Sequence, residues 1–348
     1  MTTIVRGPCN YVHLRKGDKN IYVVYEIHSK GGSHEVCPPE WSGQSIDVVQ
    51  WIKRDFLPKY TKDNKLDIFV EMWIFEKERF EVENASSLDK IRHFITHCDE
   101  RARCHAIDIR AIMCSTMHTI MEINETFYSL YDDIMNWIKF STEHNNIGAS
   151  DSFHGMLKKL TIGTVNTMKK IFENMLIFID QQKTNIDPRL IQSRIYQKIY
   201  DKLDKNDKEY FVQLNTKTKD LIAEFMYSAI TYFRQITDDP TIEQHDKNIL
   251  QFNDTFSSTN EIPTLNNFDQ VTSVYTAVTS KLMDVYVIGR LLKLYVKDCL
   301  IYVGAEHGKN IVKELISHGF EVVYKANDIA YPNSVDSEGQ FIHCMKVN

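Results

Sequence analysis

The apolar positions of this chain keep two different periods, and the switch between them divides it. In the first third, short β-rich runs alternate with amphipathic stretches, the pattern of βαβ units around a largely parallel sheet. Ile21 to Ile27 (IYVVYEI) predicts a strand, followed by a Gly-, Ser- and Pro-rich loop from Ser29 to Ser42. Within Ser45 to Phe56, Ile46, Val49, Ile52 and Phe56 recur at helical spacing. Leu66 to Met72 (LDIFVEM) predicts the second strand, Ser86 or Ser87 can cap a helix through His97, and Arg103 to Ile107 reads as the third strand.

From about Ser115 to Tyr295 the apolar residues recur at three and four, and strand-like runs nearly vanish. Helices are expected over Ser115–Phe140, Ser152–Ile179, Pro188–Leu203, Lys205–Ile236 and Asn267–Tyr295. The α/β pattern then resumes. Cys299 to Val303 predicts a strand, Lys309 to Ser317 a helix stopped by His318-Gly319, Phe320 to Tyr324 a further strand and Phe341 to Val347 an edge strand. The C-terminal piece is too small for a good core of its own, so the two ends are expected to build one sheet. The expectation is an α/β fold, with a mixed, largely parallel sheet formed by both chain ends and a large all-helical insertion. Residues 1–114 and 298–348 form the core in this reading, and 115–297 the insertion.

In open α/β sheets ligands bind beyond the carboxyl ends of the strands, and here each such end carries chemistry. The first strand runs into Glu26 and His28, the second into Glu71, the third into Asp108 and Arg110, and the late one into Gly304-Ala305-Glu306-His307. Each residue alone has an ordinary structural explanation: a hydrogen-bonded His, an ion pair or a helix cap. Their coincidence at one rim points to a site. Two histidines with carboxylates match the ligand types of a divalent metal that activates water, with His28, Glu71 and His307 as the metal set and Mn, Co or Zn as the candidate ion. Without metal, His28 or Glu26 serves as general base, and Arg110 steadies a developing oxyanion. Both routes end in hydrolysis.

A formal net charge of −6 argues against broad capture of nucleic acid or of an anionic membrane, and disfavours a nuclease. The seven cysteines include no CxxC pair, so reduced thiols are expected rather than a disulfide framework or zinc ribbon. The first ten residues lack a signal-peptide core and no apolar run is long enough to span a bilayer, which predicts a cytoplasmic protein with no membrane association.

At the strand ends the sequence resembles the superfamily that joins Tiki and TraB-type proteins, the erythromycin esterases and the ChaN-type haem-binding proteins. The resemblance rests on YEIHS at Tyr25 to Ser29, VEMW at Val70 to Trp73, IDIR at Ile107 to Arg110 and YVGAEHGKNIVKELISHGFEVV at Tyr302 to Val323. It implies that His28 is the first-motif histidine, Glu26 its neighbouring carboxylate, Glu71 the second-strand glutamate, and Gly304 with His307 the second GxxH motif. Asp108 and Arg110 are similar to the polar pair after the family's third strand. The first motif's Gly is Tyr25 here, which implies a narrowed pocket or a changed reaction. Catalytic roles are thus expected for Glu26, His28, Glu71, Asp108, Arg110, Glu306 and His307, in hydrolysis of a peptide, ester or related bond in a small-molecule or peptide substrate. The alternative is a non-catalytic ligand- or haem-binding module. In either case the helical insertion is expected to serve partner binding or homo-oligomer formation.

Overall fold

The computed structural model of the chain describes residues 3–26, 37, 41, 43–73, 87–109, 116–184, 191–238, 268–326 and 344–347. Its architecture is mixed α/β, with strands contributed by both chain ends. The described residues divide into two compact units, Met1–Ile109 with Tyr196–Val212 and Met283–Asn348, and Arg110–Ile195 with Gln213–Leu282.

The first unit holds two sheets. Strands β1 (Thr3–Arg6), β2 (Asn10–Lys16) and β3 (Lys19–Glu26) open the chain, and β4 (Ser45–Asp47) follows. Residues Thr3–Arg6 are too few, and Asn10–Lys16 too charged, to announce themselves by alternation, so only β3 is foreshadowed in the sequence. Positive φ at Gly17 (60°) lets β2 turn directly into β3, with Lys16 paired to Lys19. The stretch from Ser45 to Phe56, read as one helix, is instead β4 followed by α1 (Val48–Trp51), a π turn (Ile52–Phe56) and a 3-10 turn (Leu57–Lys59). Tertiary pairing overrides local periodicity there: Ser45–Asp47 pairs in parallel with β1, and Asp47 Oδ1 then caps α1 by accepting from Gln50 N at 2.9 Å.

The chain continues through β5 (Leu66–Trp73), α2 (Ser87–Thr96) and β6 (Ala102–Asp108). Helices α3 (Thr116–Glu143), α4 (Ile147–Thr184), α5 (Ile191–Tyr200), α6 (Lys205–Asp238) and α7 (Phe268–Leu291) come next. Strand β7 (Asp298–Gly304), α8 (Ala305–Ser317), β8 (Glu321–Lys325) and β9 (Cys344–Val347) close the fold. The larger sheet has the order β6-β5-β7-β3-β2-β8, and the smaller the order β4-β1-β9. In the larger sheet, β6, β5, β7 and β3 run parallel, whereas β2 is antiparallel to both β3 and β8. The late strand β7 thus inserts between β3 and β5, so the two ends of the chain share one sheet.

Alternation along the strands sorts their side chains between two faces. Val24, Ile68, Val70, Met72, Leu300 and Tyr302 pack with Trp51 of α1 and with Leu88, Ile91 and Phe94 of α2. On the opposite parity lie Asp67, Phe69 and Glu71 of β5, with α8 packed along β3 and β7. The first unit also takes in residues 196–212 and 283–297 of the stretch read as insertion. Gly289 of α7 allows this: a Cβ there would lie 2.5 Å from Phe211 Cε2 and 2.8 Å from Ile199 Cγ2. In the second unit Phe127, Phe172, Phe225, Phe233 and Tyr275 are among the buried side chains of one helical core.

Cys98–Cys104 and Cys37–Cys344 form disulfide pairs with Cα separations of 5.9 and 5.2 Å, correcting the expectation of reduced thiols. Sequence spacing could not reveal the second pair, which joins positions 307 residues apart. No described helix is long and apolar enough to cross a membrane.

Candidate functional site

Four adjacent parallel strands end along one edge of the larger sheet, and Asp108, Glu71 and Glu26 stand at or near the carboxyl ends of β6, β5 and β3. Between β5 and β3, strand β7 ends at Gly304, which is also the N-cap of α8 and receives no side-chain cap. Gly304 N instead donates to Glu71 Oε2 at 2.7 Å, so the carboxylate of the neighbouring strand reaches across to the β7–α8 junction. Arg92 of α2 fixes the same residue from the backbone side, its Nε and Nη2 donating to the Glu71 carbonyl at 3.2 and 3.1 Å.

His307 lies one helical step after Glu306, and that step of about 100° decides their different fates. Glu306 faces solvent and accepts from Lys309 Nζ at 3.1 Å. His307 is buried, with Nδ1 2.6 Å from Asp284 Oδ1 and Nε2 3.6 Å from Glu71 Oε1. Asp284 in turn accepts from Asn310 Nδ2 at 3.1 Å through its other oxygen. His307 thus lies between two acidic side chains, with Asp284 against Nδ1 and Glu71 beyond Nε2, and a hydrogen on Nδ1 is the tautomer that lets the ring donate to Asp284. The assembled constellation is therefore Asp284–His307–Glu71, with Asn310 holding the outer carboxylate and Gly304 the inner one.

The expected residues divide as follows. Glu71 and His307 meet. Glu26 and Asp108 are buried at the ends of β3 and β6, with β7 and β5 between them, and they share the parity of Val24 and Ala106, on the sheet face covered by α1 and α2. Glu306 is at the surface and away from the buried imidazole. His28 and Arg110 lie outside the described residues. Tyr25 packs its ring against Gly308: a Cβ on Gly308 would come within 2.3 Å of Tyr25 Cδ1, so the ring occupies the space a side chain there would need.

Sequence reasoning missed Asp284 and Asn310. A signal for Asp284 was present, because it is a lone acid in the apolar run Met283–Leu292, whose Val285, Val287, Ile288 and Leu291 are all buried. A carboxylate in such a helix rarely stays buried without a partner. Of the expected metal set, Glu71 and His307 come together and His28 lies outside the described residues, among which no group of three His, Cys, Asp or Glu is arranged to hold a metal ion.

A second polar network sits further back on the same strands. Fully buried Asp67 accepts from Arg103 Nε at 2.8 Å and from its Nη2, and lies 2.8 Å from His105 Nε2. His105 Nδ1 faces Arg290 Nη2 at 3.0 Å. Burial pushes the His105 imidazole below its ordinary value against the pull of Asp67, and the neighbouring Arg290 adds to the depression. This network explains Asp67 and His105 as structural groups.

No family model, curated protein or solved structure matches this chain.

Proposed function

We propose that the chain is a hydrolase in which His307 is the general base of a reaction at the carboxyl edge of the parallel strands. The observation that carries this reading is the 2.6 Å contact of His307 Nδ1 with buried Asp284, which leaves Nε2 directed toward the strand ends. A carboxylate–imidazole pair of this kind fixes the tautomer and stabilises the imidazolium formed when Nε2 accepts a proton from water. Glu71 Oε1, 3.6 Å from Nε2, adds negative charge beside that imidazolium. A peptide or ester bond fits this chemistry, since both need one proton removed from water and returned to the leaving group.

The test is a screen of purified protein against peptide, ester and phosphodiester substrates, in chelator and with added Mn²⁺, Co²⁺ or Zn²⁺. Turnover that His307→Ala abolishes while the circular dichroism spectrum stays native supports the assignment. Absence of turnover throughout, with a small ligand retained by the protein, would replace the hydrolase with a binding module at the same strand ends.

A further inference from the structure

The amino edge of the same sheet carries a second feature, unrelated to His307. A cavity of about 310 Å³ opens beside the starts of β5, β6 and β7, lined by Lys62, Asn64, Lys65, Arg103, Tyr295 and Lys297. Asp63 is the one acid in the lining, so four cations face one carboxylate. In a chain whose formal net charge is −6, a lining with four cationic side chains and one acid is a local departure in composition.

The cations differ in how they are held. Arg103 is built in: Asp67, fully buried beneath it, engages Nε and Nη2, and the guanidinium stacks 5.1 Å from the Tyr295 ring centre. Its Nη1 makes no hydrogen bond to a described residue, leaving a fixed donor at the cavity wall. Lys65 has no acidic partner among the described residues. Lys62 and Lys297 are tied to Glu100 and Asp18 through exposed ion pairs, which are weak and exchange readily for a better acceptor. Nearby Lys293 lies 5.9 Å from the Tyr295 ring, and burial together with Arg290 and Lys202 pushes its ammonium down to about 8. Of the four lining cations, Arg103, Lys62 and Lys297 each have an acidic partner outside the lining, and Lys65 has none among the described residues.

We propose that this cavity is a binding site for a phosphoryl anion, with Arg103 as the rigid donor and Lys65, Lys62 and Lys297 closing around the oxygens. A carboxylate would use one or two of these donors. A di- or triphosphate group uses all of them, and the volume is at the lower end of small-ligand sites, about 300–1,000 Å³. The phosphoryl group has two sources, a free polyphosphate or the tail of a nucleotide.

Calorimetric titration of the full chain with pyrophosphate, inorganic phosphate and ADP tests the site. Pyrophosphate is expected to bind more tightly than phosphate, with an affinity that falls as salt is raised. Lys65→Gln combined with Lys297→Gln is expected to weaken binding about tenfold or more, as the loss of charge-assisted contacts implies. Lys62→Gln alone provides a second variant at an exposed position should the double substitution fail to fold. ADP binding above pyrophosphate assigns the site to nucleotides, and equal binding assigns it to the free anion. No binding of any of the three at millimolar concentration, or binding untouched by these substitutions, would overturn the proposal.

Discussion

The ring of Tyr25 lies so close to the backbone of Gly308 that a Cβ at position 308 would stand 2.3 Å from Tyr25 Cδ1 and 2.5 Å from Cε1. Two opposing effects bear on Gly308→Ala. Within a helix the substitution gains about 1 kcal/mol of intrinsic propensity. Overpacking against a buried ring costs about 1–3 kcal/mol, so the net effect is expected to be destabilising by about 0–2 kcal/mol. In a Tyr25→Ala background the ring is gone and the same substitution is expected to become stabilising. Urea unfolding of the four proteins in the cycle reads this reversal of sign. An unchanged cost in the Tyr25→Ala background would show that the ring is not what requires Gly308.

Asp284→Asn tests the tautomer rather than the fold. The amide can donate to His307 Nδ1, which moves the imidazole hydrogen to Nε2 and removes the base. Turnover is expected to fall about 10²–10⁴-fold while the melting temperature changes little beside that of Asp284→Ala. The pH–rate profile should lose the limb that His307 supplies. Retention of that limb in Asp284→Asn would remove Asp284 from the proposed reaction.

The Asp67–His105–Arg290 network sets a pH dependence of stability. His105 Nδ1 can accept from Arg290 only while the ring is neutral, in agreement with a folded-state pKa lowered from 6.5. The unfolded chain then binds the proton more readily. Stability from this group is fully present above 6.5 and is lost as pH falls from there toward the depressed folded value. His13, also lowered from 6.5 mainly by burial, acts with the same sign. The urea midpoint should decline below that pH, and His105→Gln, which keeps a donor and an acceptor without titrating, should flatten the decline. An equally steep decline in the variant would place the dependence elsewhere.

Gly289→Ala probes whether residues 196–212 belong to the first unit. The new methyl would meet Phe211 and Ile199, and after the helix-propensity gain of about 1 kcal/mol a net loss of about 0–2 kcal/mol is expected. Phe211→Leu should relieve part of it. Independent, additive effects of the two substitutions would argue against that packing.

Much of the scaffold was legible because its signals are local. The strand runs LDIFVEM and CLIYV, the helix over Lys309–Ser317 and its stop at Gly319, where φ is 86°, all follow from period and from the conformational freedom of Gly. Glu71 and His307, which the structure brings side by side, were singled out because polar residues that follow apolar strand runs are conspicuous. Their partner was not. Asp284 sits in a helix 23 residues before His307, and only the packing of α7 beside α8 brings the two together.

The chemistry of the strand ends was thus present in the amino-acid order, whereas its grouping was not. Sequence determined which strands end in acids and histidines, and that both chain ends must contribute to one sheet. Tertiary structure decided which of those residues meet: strand alternation turned Glu26 and Asp108 toward the face opposite Glu71, helical rotation exposed Glu306 while burying His307, and packing supplied Asp284 and the Tyr25–Gly308 contact. Periodicity fixes the direction of a side chain relative to its own element. Its neighbours depend on how elements pair and pack, over separations that a local pattern does not encode.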